Sequence, residues 1–455
     1  MTFAQIIEAI SGWVWGWPMI VLLVGTHVFL TIRLRVPQRK ILTAIRLSVR
    51  RDKGSTGDVS QFGALATSLA ATIGTGNIIG VATAVSLGGP GAVLWCWVTG
   101  VFGIATKYGE GLLAIKYRIK TPDGRMMGGP MFALERGLGQ KWLAVLFALF
   151  TAIAAFGIGN TVQANAISSN VSQLLDGWVP PLFAQVATGL LVAAIVGVVV
   201  IGGVRSIARI CTALVPLMAV CYVLGCLYIL CLNWSYLGDA VRLICREALS
   251  LRASLGGTAG TALMMGARYG IARGLFSNES GMGSAPIVAA AAQTRNPVRQ
   301  ALVSSTGTFW DTVVICAITG LVIVSSIVAN PDIAINDGAM LTKKAFGMIP
   351  LIGTPVLTFG ILTFAFSTIL GWSYYGERAV EYLAGRGLIK WYRIIWVALC
   401  FIGSVMNLNT VWNIADIMNA LMAIPNLISL LLLSGVLVRE TDHYLWAGRL
   451  DEEAG

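Results

Sequence analysis

The sequence predicts an all-α integral membrane protein with eleven transmembrane helices, arranged as a 5+5 inverted repeat preceded by one peripheral helix. The 455 residues are 56% apolar and only 12% charged, and their mean hydropathy is +0.78. A soluble globular domain is about a quarter charged. Hydrophobic runs of roughly 18 to 25 residues recur along the chain, which is the length that crosses a bilayer core. Two of these runs are interrupted by polar, glycine-rich segments.

The predicted spans follow the apolar runs. In chain order they cover residues 15–34, 61–87, 91–115, 142–166, 182–203, 209–232, 261–292, 302–328, 354–376, 391–408 and 411–437. With 15–34 as the peripheral helix, residues 61–232 form a first five-helix repeat and residues 261–437 a second, within one membrane domain over 1–455. Each repeat begins with an interrupted span, and an odd number of spans inverts the second repeat relative to the first.

Basic residues concentrate in alternate loops. They cluster at 35–53, 116–141, 205–209, 295–299, 386–393 and 439–449. Cytoplasmic loops carry the excess of Lys and Arg in membrane proteins. We therefore expect the N-terminus outside the cell and the C-terminus in the cytoplasm. The net charge of +11 then reflects loops that face the lipid bilayer surface, and no nucleic-acid partner is expected.

Patterns typical of metal centres and enzymes are missing from the sequence. The eight cysteines are scattered through apolar segments without a Cys-x-x-Cys pair, and there are only two histidines. A zinc site needs a clustered set of such ligands, so the cysteines are expected to be buried apolar side chains. No Ser-His pair or HExxH motif occurs in the spans, and the chain is not expected to be an enzyme.

Two broken spans are the most informative feature of the sequence. The first reads TSLAATIGTGNIIGVATAV, with its break at residues 74–77, and the second reads GLFSNESGMGSAPIVAAAA, with its break at 277–283. Backbone groups left unpaired in lipid cost several kcal/mol each, so such breaks persist only where they line a protein-enclosed cavity. Two breaks in matching places of two repeats predict the substrate and ion site of a secondary transporter.

The chemistry of the first break suits a zwitterion beside a cation. The N–H groups of Thr75, Gly76 and Asn77 begin a half-helix, and helix N-termini bind anions such as a carboxylate. Carbonyl groups end the preceding half-helix and attract cations. We expect the carbonyls of Ala70 and Ile73 to bind Na⁺. The hydroxyls of a Ser-Thr pair on a distant span would complete the site, although such pairs also serve helix packing. That pair is Ser367 and Thr368.

Several charged residues lie at membrane depth, where an ionisable group is a functional candidate. Glu279, in the second break, either holds the break open or couples directly to an ion or proton. Asp311 is a second buried acid. Arg273 and Asp416 lie towards the same side of the membrane, and an ion pair between them is a hypothesis for a gate.

Three further side chains have two interpretations each. The amide of Gln163 either binds the ligand or bridges helices. Trp372 and Phe276 are either ordinary core residues or walls that shrink the pocket.

Several long strings of the sequence resemble one known family. They are GTGNIIGVATAVSLGGPGAVLWCWVTGVFGIATKYGE, GGPMFALERGLG, RGLFSNESGMGSAPIVAAAA, GTFWDT and GWSYYGERA. Over nearly the whole chain they are similar to the alanine or glycine:cation symporter family, the sodium:alanine symporters. The resemblance implies the leucine-transporter fold and Na⁺-coupled uptake of small neutral amino acids by alternating access, in the cytoplasmic membrane of a prokaryote.

The resemblance also assigns site residues. It places the ligand carboxylate at Thr75–Asn77 and the shared sodium site at four residues of two spans. Phe364 stands where a small residue is usual on the second of those spans. The amino group of the ligand is expected at the second break. The substrate-binding set is Thr75, Gly76, Asn77, Gln163, Phe276, Ser277, Asn278, Gly281 and Trp372, and the sodium set is Ala70, Ile73, Ser367 and Thr368.

Two other kinds of transport remain as rivals at this stage. A proton-coupled amino-acid carrier would use Glu279 or Asp311 as its titrating group. A channel is disfavoured because neither break resembles a ring-like selectivity filter. The oligomeric state is not predicted.

Overall fold

Local sequence signals set the starts of several helices in the computed structural model, which describes residues 3–50, 52, 55–249, 259–333, 338–406 and 409–453. The hydroxyl of Ser60 accepts a hydrogen bond from the N–H of Gly63 at the start of the first broken span. The side chain of Asn296 caps the helix that begins at Pro297 in the same way. Such caps pair N–H groups that have no partner inside a helix.

The described chain is almost entirely helical. The helices are α1 Phe3–Val14, α2 Trp17–Arg33, α3 Ile41–Val49, α4 Gln61–Thr72, α5 Val81–Gly88, α6 Ala92–Lys116, α7 Pro130–Phe132, α8 Lys141–Phe156, α9 Val162–Leu174, α10 Pro181–Ile201, α11 Gly203–Leu232, α12 Leu237–Leu249, α13 Ala259–Asn278, α14 Pro286–Ala289, α15 Pro297–Thr308, α16 Ala317–Ala329, α17 Gly338–Gly347, α18 Gly353–Ala384, α19 Ile389–Val405, α20 Asn409–Leu432 and α21 Ser434–Thr441. A short antiparallel hairpin joins β1 Ile119–Lys120 to β2 Met126–Met127.

Several junctions between helices are wider π-helical turns. They cover Gly76–Gly80, Ala133–Gly137, Gly157–Thr161, Phe309–Cys316 and Asp442–Trp446. Turns of this kind are frequent at functional sites. Three of them, at 76–80, 157–161 and 309–316, lie in the elements that surround the first break.

Several helices are long and apolar enough to span a membrane. Within the described residues seven pass this test, and two bent pairs bring the number to nine if each pair is one span. The helix α6 and the second broken span are not among them; α6 carries Lys107 and Glu110 inside its length. The predicted count of eleven therefore does not follow from length and apolarity alone.

Some helix ends differ from the prediction. The predicted span 142–166 continues through a π-helical turn to Leu174, and 354–376 continues to Ala384. The predicted ends were placed where the apolar residues end. The helices continue further because the polar side chains beyond these points have partners inside the protein. Near the C-terminus, α20 ends at Leu432 and the chain bends by 57°, five residues before the predicted end at 437.

The N-terminal helix contacts the second break. It consists of α1 and α2, which meet at Gly16. A Cβ built on Gly281 would lie 2.8 Å from Leu23 and 3.6 Å from His27. The helix α2 therefore forms part of the wall around the second break.

Both predicted breaks are confirmed, the second with shifted bounds. The helix α4 ends at Thr72, and the helix that resumes at Gly76 is bent by 52° relative to it. The helix α13 continues through Asn278, beyond the predicted start of the second break. The break begins instead at Glu279, whose φ of 53° is left-handed, and it extends to α14.

Candidate functional site

The first break touches the end of α13, directly before the second break. A Cβ built on Gly76 would lie 3.2 Å from the ring of Phe276 and 3.6 Å from the Cα of Ser277. A side chain at position 76 would press against the ring of Phe276, and glycine avoids this contact. The structure therefore brings the predicted residues of the first and second breaks into one place.

Asn77 closes the turn of the first break. Its side-chain oxygen accepts a hydrogen bond from the N–H of Gly74 at 2.9 Å, and its own N–H donates to the Gly74 carbonyl at 3.2 Å. The predicted donor at Asn77 is thus engaged within the break. The neighbouring Thr75 is buried, and its hydroxyl has no partner in the described residues.

A buried carboxylate ties the two breaks together. Asp311, in the π-helical turn at Phe309–Cys316, accepts hydrogen bonds from the Nδ2 of Asn77 at 2.7 Å and the Oγ of Ser277 at 2.9 Å. The hydroxyl of Thr312 donates to the same carboxylate at 2.7 Å. Asp311 therefore links Asn77 of the first break to Ser277 at the end of α13, next to the second break, a role that its position in the sequence did not reveal.

The predicted sodium ligands converge around the end of α4. The carbonyl of Ala70 accepts hydrogen bonds from Ser367 at 3.1 Å and Thr368 at 3.2 Å. Both hydroxyls also donate to the carbonyl of Phe364, at 2.9 and 3.0 Å. Ile73 ends α4 with a ψ of 89°, which turns its carbonyl away from the helical direction.

This oxygen cluster fits a small hard cation. Hydroxyl hydrogens rotate, so Ser367 and Thr368 can turn their lone pairs to a bound ion, and hard cations prefer oxygen ligands. The side chain of Phe364 packs against Tyr222, with ring centroids 5.2 Å apart. The carbonyl of Phe364 stays within the cluster, so the bulky residue at this position does not displace it.

Gln163 directs its amide oxygen towards the first break. This oxygen is buried without a partner in the described residues, and it lies 3.7 Å from a Cβ built on Gly74. The amide nitrogen donates to the carbonyl of Ile158 at 3.0 Å, in the π-helical turn at Gly157–Thr161. Gln163 thus presents an acceptor at the break while its donor is fixed.

Trp372 supports the second break. Its indole N–H donates to Glu279 at 3.0 Å, and its Cβ lies 2.2 Å from a Cβ built on Gly159. The hydroxyl of Ser284 donates to the other oxygen of Glu279. These contacts favour the structural role of Glu279, and they place Trp372 beside the break residues.

Glu110 is a site residue that the sequence analysis missed. Its Oε1 accepts hydrogen bonds from the N–H groups of Gly281 and Gly283, each at 3.0 Å, and from Asn426 at 2.7 Å. Both glycines have left-handed φ values of 90° and 83°, which favour glycine. The carboxylate therefore holds the unwound backbone of the second break from α6.

Lys107 lies one helical turn before Glu110 and was also missed. The side chain is buried, and its ammonium group has no hydrogen-bond partner in the described residues. It interacts electrostatically with Glu110, Glu279 and Asp311. Both residues occur in the string TKYGE inside a predicted span. The rule that intramembrane charges mark functional sites would have selected them.

A cavity of about 230 Å³ adjoins the breaks. Thr75, Gly76 and Phe276 are the predicted site residues that line it. The full lining is Thr75, Gly76, Ile79, Gly80, Thr83, Ala166, Arg273 and Phe276. It is smaller than the roughly 300 Å³ at which pockets for drug-sized ligands begin.

A second, smaller cavity of about 100 Å³ lies next to this one. Phe276 and Arg273 line both cavities, and Asp416 lines only the smaller one. The guanidinium of Arg273 lies 5.9 Å from the ring centroid of Phe276. The structure records no ion pair between Arg273 and Asp416 among the residues it describes. The proposed gate pair stays a hypothesis, with both members at one cavity.

The opposite side of the breaks is closed by backbone pairing. Residues Val59 and Ala292 form a parallel bridge, in which the N–H of Gln293 donates to Val59 at 2.8 Å. The guanidinium of Arg299 holds Asp52 beside this bridge at 2.7 Å. This end includes Asp52 and Arg299, whereas the cavities lie towards the end where α5 finishes.

Solved structures share this arrangement of helices. One is MhsT in complex with L-phenylalanine, with a TM-score of 0.54, 16% identity, and coverage of 85% of this chain and 99% of that chain. Another is the substrate-bound outward-open state of a Na⁺-coupled sialic acid symporter, with a TM-score of 0.51, 12% identity, and coverage of 94% and 86%. The fold is the leucine-transporter fold.

The sequence profile of the sodium:alanine symporter family matches residues 1–454. A sodium/alanine symporter of Methanococcus maripaludis is 50% identical over 449 residues, covering 97% of each chain. A probable sodium/glutamine symporter of Bacillus subtilis is 34% identical over 97% of this chain and 91% of its own. A putative sodium/proton-dependent alanine carrier of the same organism is 32% identical over 95% and 90%.

The chain belongs to the sodium:alanine symporter family. The expected class, a Na⁺-coupled amino-acid symporter in a membrane and not an enzyme, is confirmed, and so is Na⁺ as the co-transported ion.

Proposed function

We propose that this protein couples the entry of Na⁺ to the uptake of alanine or glycine by alternating access. The observation that carries the proposal is the contact of Gly76 in the first break with Phe276 and Ser277 at the helix end next to the second break. The oxygen cluster of Ala70 and its partner hydroxyls adjoins the first break. A site that joins half-helix ends to neutral oxygens suits a zwitterion and a cation together.

The ligand carboxylate would bind at Thr75 and Gly76, where a half-helix begins. The amino group would bind at the second break, through Ser277, Asn278 and the backbone near Gly281. The unpartnered oxygen of Gln163 faces the first break and would accept a hydrogen bond from the ligand. Na⁺ would bind between α4 and α18.

We also propose the finer architecture. Eleven spans would form two inverted repeats, 61–232 and 261–437, after the helix at 15–34. The positive-inside rule would place the N-terminus outside and the C-terminus inside the cytoplasmic membrane of a prokaryote. The cavities at the breaks would then face the outside, while the bridge of Val59 and Ala292 closes the cytoplasmic side. Binding of substrate and Na⁺ together would favour the occluded state, from which the site opens to the cytoplasm.

Uptake of radiolabelled alanine into liposomes tests the proposal. An inward Na⁺ gradient is expected to drive accumulation above the external concentration, and unlabelled glycine and alanine are expected to compete. Liposomes without protein are the control. Accumulation that is equal with and without Na⁺ would contradict Na⁺ coupling.

A proton-coupled carrier is the alternative that the name of one relative supports. Its titrating group would be Glu279 or Asp311, both buried beside the breaks. Uptake in Na⁺-free buffer under an imposed pH gradient would favour this alternative. A Glu279→Gln or Asp311→Asn variant that keeps uptake driven by a Na⁺ gradient but loses uptake driven by a pH gradient would identify the group.

Replacement of Phe276 by alanine is expected to widen substrate selection. The ring lines the 230 Å³ cavity and packs against Gly76, so its removal enlarges the space beside the ligand side chain. We expect competition by leucine or methionine to strengthen roughly tenfold, the effect of about 1.4 kcal/mol. Inhibition of alanine uptake by leucine and methionine measures the change in selectivity. Phe29→Ala, at an exposed side chain of α2, is the control. An unchanged competition profile would show that Phe276 does not limit side-chain size.

A further inference from the structure

A cleft of about 910 Å³ lies between α10, α18 and α19, away from the breaks. It shares no lining residue with the 230 Å³ cavity. It lies at the end of the bundle that carries the basic loops. Its lining consists of Arg125, Gly197, Val200, Ile201, Glu377, Arg386, Ile389, Lys390, Arg393, Ile394, Val397 and Ala398.

The walls of this cleft are apolar and open to the surroundings of the bundle. Ile201 of α10 is 74% exposed and Ile394 of α19 is 50% exposed, and Val200 and Val397 also line the cleft on these two helices. In a membrane protein such exposed apolar side chains face lipid chains. The walls therefore suit an acyl chain.

The mouth of the cleft is cationic. Four basic side chains and one acidic side chain, Glu377, line it. Arg125 and Arg386 both pair with Asp123 and Glu381, which lie outside the lining. Arg393 is fixed, because it donates twice to Glu377 at 2.8 Å and once to the carbonyl of Ile201 at 3.1 Å. Lys390 is exposed and forms no ion pair with the residues the structure describes. Arg386, also exposed, contacts Asp123 at 3.0 Å.

We propose that this cleft binds an anionic phospholipid. The headgroup phosphate would lie at Lys390 and Arg386, and one acyl chain would lie between α10 and α19. Basic pockets between transmembrane helices on the cytoplasmic side bind anionic headgroups. A neutral lipid would leave Lys390 without an anionic partner, and a free anion would not use the apolar walls.

The helix α18 connects the cleft to the proposed sodium site. This helix carries Ser367 and Thr368 at the sodium cluster and Glu377 at the cleft. A lipid bound between α10 and α19 would thus support the helix that supplies the sodium-site hydroxyls.

Thermal unfolding of the full-length protein in neutral detergent tests the proposal. Palmitoyl-oleoyl phosphatidylglycerol is expected to raise the Tm by roughly 3–6 °C at saturation, since a ligand of the folded state stabilises it. Phosphatidylcholine and inorganic phosphate are expected to raise the Tm by less than about a third of the rise with phosphatidylglycerol.

The variant Lys390→Gln with Arg386→Gln is expected to lose most of the lipid-induced rise. Arg242→Gln with Arg246→Gln removes the same charge at two exposed positions in α12 outside the cleft, so this variant is the control for net charge and is expected to keep the rise. Ala398→Trp fills the cleft and leaves the basic residues intact, so it is expected to remove the rise by a second route.

Several results would overturn the proposal. They are an equal rise with phosphatidylcholine, a full rise with phosphate alone, or a full rise in both the double variant and Ala398→Trp. Native mass spectrometry provides an independent measurement, since the wild type is expected to retain phosphatidylglycerol more than either variant. Equal retention would count against the site.

Discussion

Replacement of Thr368 by valine is expected to raise the Na⁺ concentration for half-maximal uptake by about 10- to 100-fold. Valine keeps the shape of the side chain and removes the hydroxyl. That hydroxyl lies 3.2 Å from the carbonyl of Ala70 and 3.0 Å from that of Phe364. The cation would lose one oxygen ligand, and the two carbonyls would lose a donor when no ion is bound.

Thr363→Val is the matched control on the same helix. The hydroxyl of Thr363 donates to the carbonyl of Phe359 at 2.7 Å, within α18, and the side chain is exposed at the helix surface. We expect this variant to keep the Na⁺ dependence of the wild type. Uptake measured over a series of Na⁺ concentrations separates the two. An unchanged Na⁺ dependence in Thr368→Val would contradict the assignment of the oxygen cluster as the sodium site.

Replacement of Asp311 by alanine is expected to reduce alanine uptake at least about 100-fold. The carboxylate is the shared acceptor for Asn77 of the first break and Ser277 at the end of α13, next to the second break, at 2.7 and 2.9 Å. Its loss leaves buried donors without that acceptor, at about 1–3 kcal/mol for each group. The breaks would no longer be held together, although the apolar helices around them remain.

Thr312→Val is the control for Asp311→Ala. Thr312 donates to the same carboxylate at 2.7 Å but belongs to neither break, so we expect a much smaller loss of uptake. Gel filtration and circular dichroism show whether each variant is folded. Near-normal uptake by folded Asp311→Ala would show that the carboxylate is not needed to hold the breaks together.

The approximate positions of the helices and of the first break were largely predictable because they depend on local composition. Apolar runs gave the approximate helices, and Gly74–Asn77 marked the first break within the chain itself. The ends were less predictable. The helix α18 extends to Ala384 because Arg378 forms ion pairs with Glu377 and Glu381, and Arg393 on α19 also pairs with Glu377.

The sodium-site residues were predicted by a combination of local signals and family resemblance. A carbonyl at the end of a half-helix indicates a cation site, and a Ser-Thr pair in a span supplies hydroxyls. Nothing local showed that Ala70 and Thr368, 298 positions apart, would meet at 3.2 Å. The resemblance to a family made that pairing an expectation, and the structure places the atoms together.

By itself, the sequence determined that this protein is a helical membrane protein with two broken spans, because span length and glycine-rich interruptions are properties of contiguous residues. Only the tertiary structure decided which polar groups complete the breaks. Glu110 reaches Gly281 across 171 positions, Asp311 reaches Asn77 across 234, and Trp372 reaches Glu279 across 93. Buried polar groups require partners wherever the fold places them, and helix packing brings those partners together from distant parts of the chain.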